Sequence, residues 1–221
     1  MRVKPKLYSR KSGGKNVLKV GITGGIGSGK STVTNMIKNK CFPIVDADIV
    51  AKEVFILYPE VLTQIKEEFG CEFFSEDGNI MRKKLGNYIF KSEDRRKKLE
   101  DIMMPFIISE IHLRIRKLEE NNCKLCFLDA ATLIENNLHT IMDQTILVLV
   151  GREVQIQRVM SRDNLEMDET MDRIKAQMPI DEKKKFADFI IDNEGSLENT
   201  KLQLDFIIVQ LERLKVKNYE I

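Results

Sequence analysis

Gly24-Gly25-Ile26-Gly27-Ser28-Gly29-Lys30-Ser31 is a full match to the pattern G-x-x-x-x-G-K-[ST], a loop whose backbone N–H groups wrap a phosphate. Its flanks suit that use. Asn16 to Ile22 is a short apolar run with β-branched residues and reads as a strand, while the spacing of Val33, Met36 and Ile37 between Ser31 and Lys40 reads as a helix. The loop therefore opens a helix, and its N–H groups meet an anion at the positive end of the helix dipole. In that setting Lys30 reaches the β- and γ-phosphates and the Ser31 hydroxyl ligates Mg²⁺. Binding of ATP or GTP follows, but the loop alone does not choose between kinase, GTPase, motor and switch.

Beyond the loop, Cys41-Phe42-Pro43 ends the helix, because proline forbids its continuation, and Pro43 to Asp46 reads as a second strand. Strand, helix and strand in this order make a βαβ unit, whose right-handed crossover implies a parallel sheet buried on both faces. Residues 51–122 are helical in their periodicity, broken by the turn Glu76-Asp77-Gly78-Asn79. Strand-type runs return at Leu125 to Asp129, Thr145 to Val150 and, more weakly, Phe189 to Asp192. Helical stretches separate and follow them: Glu153 to Arg162, Asp168 to Met178, Asp181 to Phe186, and a final amphipathic helix from Leu197 to Leu214 with apolar Leu202, Leu204, Ile207, Ile208 and Leu211.

Composition narrows the function classes. At 221 residues with 43% hydrophobic and 32% charged content, the chain holds one domain with insertions and enough apolar material for a sizeable core. Lys and Arg total 36 against 34 Asp and Glu, a net charge of +2, so no nucleic-acid partner is expected without a local basic patch. The longest apolar candidate, Ile146 to Val150, is strand-sized, and no membrane span is expected. Residues 1–18 form a basic lead-in (Arg2, Lys4, Lys6, Arg10, Lys11, Lys15) without the apolar core of a signal peptide, and are expected to be disordered. Cys41, Cys71, Cys123 and Cys126 are too few and scattered for a disulfide framework, which points to a reducing, cytoplasmic setting.

Several residues supply chemistry around the loop. Asp46-Ala47-Asp48 follows the second strand, and in a doubly wound sheet ligands bind outside the carboxyl ends of strands, so both carboxylates fall beside the phosphates. One would accept the proton of an acceptor hydroxyl; the alternative for one of the two is a helix cap, a common use of aspartate. Asp129 ends an apolar run, as does a Walker-B carboxylate that holds Mg²⁺ through water. Arg158 and Arg162, four apart, share a helix face that would close over ATP. No Asn-Lys-x-Asp segment exists for guanine, and Asp192-Asn193-Glu194-Gly195 fits a GTPase switch pattern in the wrong place. Cys123-Lys124-Leu125-Cys126 lacks the further ligands a metal site needs, and Lys183-Lys184-Lys185 reads as an exposed helix face.

Taken together, Gly21 to Thr32 followed by Val45-Asp46-Ala47-Asp48 strongly resembles the dephospho-CoA kinase family. The likeness continues through Asp77-Gly78 with Arg82 and Leu85, Leu99-Glu100 with Pro105, Asp129 to Glu135, Arg158, Arg162, Arg173-Ile174, Gln177, Ala187-Asp188, and Asn193 with Gly195. Met104 stands where the family has histidine, and Ala131-Thr132 where it has Pro-Leu. The resemblance implies an α/β P-loop NTPase fold over residues 19–217: five parallel strands flanked by helices, a helical acceptor-binding insertion at 51–122 and a small lid at 152–187. It implies ATP-dependent, Mg²⁺-assisted phosphorylation of the ribose 3′-hydroxyl of dephospho-CoA, the last step of coenzyme A synthesis. By the same resemblance Gly25 and Gly27 to Thr32 (Ser28, Gly29, Lys30 and Ser31 among them) lie on the ATP phosphates, with Asn193 near the adenine. Asp48, more than Asp46, is the base; Arg82 and Glu135 belong to the acceptor pocket; Arg158 and Arg162 belong to the lid. The competing readings are a kinase for another small hydroxyl acceptor on the same core and a P-loop switch without an acceptor.

Overall fold

Apolar residues that alternate between two faces of a strand force the sheet to be covered on both sides. The computed structural model describes residues 17–217 and side chains to residue 214, and the central strand β1 (Leu18–Gly24) and its neighbour at Leu125–Asp129 together feed both cores. Leu18, Val20 and Ile22 enter one core with Leu125 and Phe127, whereas the next strand's Cys126 and Leu128 enter the other. The remaining strands are β2 (Ile44–Asp46), β3 (Leu125–Asp129), β4 (Gln144–Leu149) and β5 (Phe189–Asp192). All pair in parallel in the order β2-β3-β1-β4-β5, which bears out the five-stranded parallel sheet. Residues 1–16 of the expected lead-in lie outside the described residues. Val17, inside that expected stretch, is 1% exposed, and its N–H donates to Glu119 Oε1 at 3.2 Å.

Register brings chemistry to one end of the sheet. Asp46 pairs with Asp129, and Ile22, two residues short of Gly24, pairs with Asp129 on its other side. The carboxyl ends of β1, β2 and β3 thus converge where helix α1 (Lys30–Asn39) begins, the place where open parallel sheets bind ligands. Helix α1 buries Val33, Thr34 and Ile37 against the sheet and against Leu204, Ile208 and Leu211 of the last helix, α9 (Leu197–Lys217). Leu202, expected on the buried stripe of α9, is 63% exposed.

Between β2 and β3 run α2 (Ala47–Leu57), α3 (Pro59–Phe69), α4 (Arg82–Phe90) and the 28-residue α5 (Glu93–Glu120), as the periodicity of residues 51–122 indicated. Helix α2 starts earlier than periodicity suggested, at Ala47, because the Asp46 carboxylate caps it: Oδ1 accepts from the N–H of Asp48 at 2.9 Å and of Ile49 at 3.0 Å. Helices α2 and α5 pack through Val50, Val54, Ile107 and Ile111, all buried. A polar knot crosses the same contact. Glu110, 6% exposed, accepts from Tyr58 Oη at 2.9 Å and Arg114 Nε at 2.7 Å, and Arg114 also bonds Glu53 of α2.

Burial alone would raise the Glu110 carboxyl, but the bonds from Arg114 and Tyr58 outweigh it and hold the group below its ordinary value of 4.5. A carboxylate held low in the folded state stabilises above its unfolded value, and that stability is lost as pH falls through the folded one. Glu110→Ala strips two donors of their partner at once. It is expected to cost about 2–4 kcal/mol in urea unfolding at neutral pH, discounted for the partial exposure of Arg114, with the difference from wild type shrinking as pH falls below the ordinary value of 4.5. An unchanged urea midpoint at pH 7 would show that the knot contributes nothing.

After β4 come α6 (Arg152–Asp163), α7 (Met167–Lys175) and α8 (Ile180–Lys184), which return the chain to β5 at the sheet edge. No helix among the described residues is long and apolar enough to cross a membrane. Cys126 is buried in β3, and burial pushes its thiol up to about 12, so it is not a reactive thiolate at neutral pH.

Candidate active site

Two positive-φ glycines shape the phosphate loop: Gly27 at 75° and Gly29 at 80°. A Cβ at Gly29 would run into the Asn193 amide nitrogen, so this glycine supplies both the backbone turn and the room for a neighbour. Gly29 is also the residue before α1, and no side chain caps that helix. Its first N–H groups remain available to an anion.

The loop is held from behind. Asn193, 4% exposed, donates through Nδ2 to the Ser28 carbonyl at 2.9 Å and accepts through Oδ1 from Thr200 Oγ1 at 2.9 Å, which ties the loop to α9. At the loop tip two glutamines grip one residue: the Ile26 N–H donates to Gln177 Oε1 at 2.7 Å, and the Ile26 carbonyl accepts from Gln155 Nε2 at 2.9 Å. Gln155 carried no sequence signal, and Gln177 entered only through the resemblance, because the reach from residue 26 to residues 155 and 177 is a property of the fold.

A cavity of about 680 Å³ opens over the loop, walled by Gly24, Gly25, Ile26, Gly27, Gly29, Lys30 and Ser31. Asp48, Ala131, Gln157, Arg158, Ser161, Arg162 and Gln177 complete its lining. In the floor Lys30 Nζ pairs with Asp129, whose second oxygen accepts from Thr34 Oγ1 at 2.8 Å. Thr34 was not anticipated, although its position one helical turn after Lys30 puts it on the same face of α1.

The two aspartates separate in role. Asp46 spends Oδ1 on the cap of α2, whereas Asp48, exposed on the first turn of that helix, faces the cavity. Arg158 Nη2 donates to the Asn193 carbonyl at 3.0 Å. Arg162 forms a two-pronged bond with its neighbour Asp163, Nε to Oδ1 at 2.8 Å and Nη2 to Oδ2 at 2.9 Å, and Arg173 Nη1 adds a third at 2.8 Å. The hydrogen bond from Arg162 and the positive charge of Arg173 hold the Asp163 carboxyl below its ordinary range.

Other expected site residues are not on this wall. Arg82, at the start of α4, stacks its guanidinium over the Phe55 ring at 4.9 Å and reaches the Lys52 carbonyl at 3.5 Å, one turn along α2 from Asp48. Glu135 is paired with Lys183 at 2.9 Å. That pairing corrects the reading of Lys183-Lys184-Lys185 as an exposed face: Lys184 and Lys185 are exposed, but Lys183 is fully buried. Among the described residues no group of three or more His, Cys, Asp or Glu side chains is arranged to hold a metal ion.

Comparison with known proteins identifies the family. The sequence model of the family described as dephospho-CoA kinase matches residues 18–199. A dephospho-CoA kinase of Clostridium perfringens is 44% identical over 192 residues, covering 87% of this chain and 96% of its own length. That of Clostridium tetani is 45% identical over 201 residues, 90% of this chain and 88% of its own. Among solved structures, TT1252 from Thermus thermophilus superposes with a TM-score of 0.74 at 31% identity, over 89% of this chain and 98% of that one. A dephospho-CoA kinase from Campylobacter jejuni gives 0.59 at 25% identity, over 87% and 96%. On the match of sequence and fold over most of its length, the chain belongs to the dephospho-CoA kinase family.

Proposed function

We propose that the chain transfers the γ-phosphoryl group of ATP to the ribose 3′-hydroxyl of dephospho-CoA, giving coenzyme A and ADP. The observation that carries this reading is that one cavity is lined at once by Lys30 and the loop glycines, by Asp48, and by Arg158 and Arg162. Phosphoryl transfer needs positioning and charge stabilisation more than covalent chemistry, and these groups supply both.

In this reading the loop residues Gly25 and Gly27 to Thr32, including Ser28, Gly29 and Ser31, surround the ATP phosphates, while the N–H groups of Ser28 and Thr32 bond the Gly25 and Gly29 carbonyls and hold the loop's shape. Lys30 exchanges Asp129 for the β- and γ-phosphates. Asp48 accepts the proton of the acceptor hydroxyl as its oxygen bonds to the γ-phosphorus and the bond to the ADP oxygen breaks. Asp46 is not the base but fixes the turn that presents Asp48. Arg158 and Arg162, on the expected lid of residues 152–187, meet the charge of the transferring group. For Arg162 this means leaving the Asp163 fork. The Asn193 amide, bonded to Ser28 and Thr200, acts on the loop itself, and its contact with adenine is carried by the resemblance alone. Arg82 and the helical region of residues 51–122 recognise the remainder of the acceptor.

The donors available for a cation are oxygens, the Ser31 hydroxyl and the Asp129 carboxylate. This hard set suits Mg²⁺, which keeps water and phosphate oxygens for its other positions. The ion would neutralise charge on the β- and γ-phosphates. The test is ADP release with ATP and Mg²⁺ in the presence of dephospho-CoA, beside adenosine, AMP, CMP and pantothenate, with product mass as a second readout. ADP formed only with dephospho-CoA, and a product heavier by one phosphate, is the expected result. Turnover with another acceptor instead would leave the phosphate chemistry and overturn the acceptor assignment.

A further inference from the structure

Lys183 is the largest charged side chain buried without any exposure among the described residues, and the phosphoryl transfer outlined above does not use it. A buried ammonium survives only where carboxylate and carbonyl oxygens replace its water. From α8 its Nζ reaches two such groups on the segment that follows β3: the Ala131 carbonyl at 2.8 Å and Glu135 Oε1 at 2.9 Å. Both partners are cross-linked further. The Ala131 carbonyl also accepts from Thr23 Oγ1 of β1 at 3.0 Å, and Glu135 Oε1 accepts from the Met178 N–H at 3.3 Å. Glu135 Oε2 is buried with no hydrogen-bond partner, so this carboxylate depends on Lys183 for its compensation. A ring contact between His139 and Phe186, 4.9 Å between centroids, fastens the same two segments beyond the lysine.

The pinned segment is the one that matters for geometry. It starts two residues after Asp129, the partner of Lys30, and Ala131 forms the cavity wall together with Asp48. We infer that Lys183 is a positioning residue for the transfer: a buried cation on α8 that fixes the backbone of residues 131–135 and so sets the acceptor wall relative to the phosphate loop. Glu135 then acts through Lys183 and not as a contact to the acceptor. The inference rests on the acceptor side of the proposed reaction, and it makes the α6–α8 segment and the acceptor wall one mechanical unit.

Lys183→Met leaves the half-buried Glu135 carboxylate, whose Oε2 is itself buried, without its compensating charge and lowers the melting temperature for that reason. The informative variant is therefore Lys183→Met/Glu135→Met, in which both charges are gone and packing volume is roughly kept; such replacements of buried pairs are often neutral in stability. The double variant is expected to recover the melting temperature lost by Lys183→Met. Its kcat/KM for dephospho-CoA is expected to stay about 10- to 100-fold below wild type while KM for ATP moves less than about threefold, a cost in line with misplacing a reacting group by about an ångström. Recovery of turnover together with melting temperature would reduce the pair to a stability element and overturn the inference, as would an equal loss for both substrates. Hydrogen exchange gives a readout that does not depend on the acceptor's identity. The amides of Leu133, Asn136 and Asn137, bonded to Ala130, Thr132 and Ile134, should exchange faster in the double variant than in wild type, with those of α1 unchanged. Unchanged exchange at 131–137 would overturn the inference even if dephospho-CoA proved to be the wrong acceptor.

Discussion

Asp48→Asn is expected to lower kcat with dephospho-CoA by about 10²- to 10⁴-fold while leaving ATP binding within a factor of about three. Asparagine keeps the size of the side chain and its hydrogen-bonding oxygen but has no basicity toward a hydroxyl proton, so the loss reports proton transfer and not positioning. The contrast with the neighbouring carboxylate sharpens the reading. Asp46→Asn retains a side-chain oxygen for the N–H groups of Asp48 and Ile49, and asparagine caps a helix as well as aspartate. Its expected loss is below about tenfold. Near-normal turnover of Asp48→Asn at saturating substrate would remove Asp48 from the base role. A loss larger for Asp46→Asn than for Asp48→Asn would exchange the two assignments.

The two aspartates also show how far the sequence carries. Both could be placed beside the loop from Asp46-Ala47-Asp48 alone, because a carboxylate after a parallel strand lies at the ligand end of the sheet. Which one caps and which one faces the cavity depends on a single backbone conformation, φ −95° and ψ 114° at Asp46, that lets its side chain fold onto the next turn. The phosphate loop was legible because its chemistry is contiguous: Gly24 to Ser31 specify their own turn, and the strand and helix around them have strong periodicity. The sheet was legible for the same reason, since runs such as Leu125 to Asp129 have one stable fate in a chain of this class. Lys183 was misread because its local context, three lysines in a row, has the signature of a solvated face. The partners that bury it, Ala131 and Glu135, lie 52 and 48 positions away. The glutamine clamp on Ile26 and the engagement of Asn193 with Ser28 share that character. Each is a contact between segments that the sheet order brings together, β1 lying between β3 and β4, and no window of sequence contains both partners.

Lys30→Ala is expected to reduce turnover by at least about 10³-fold, the scale for losing one preorganised charge at a transferring phosphoryl group. Two effects add in this variant. Lys30 is the cation that the loop brings to the phosphates, so its loss weakens ATP binding as well as charge stabilisation. It is also the partner of Asp129, which is 7% exposed and would keep only Thr34. A buried carboxylate deprived of its ammonium beside a polyphosphate adds repulsion to the missing attraction. The two parts separate in Lys30→Ala/Asp129→Asn, which removes the stranded charge and keeps a hydrogen-bonding side chain toward Thr34. If repulsion dominates, nucleotide affinity, followed by displacement of a fluorescent ATP analogue, recovers in the double variant while turnover does not. If affinity stays as low as in Lys30→Ala, the ammonium itself is what the phosphates bind, and Asp129 serves chiefly to hold it in the floor of the cavity until they arrive. Turnover within tenfold of wild type for Lys30→Ala would contradict both accounts and the kinase reading with them.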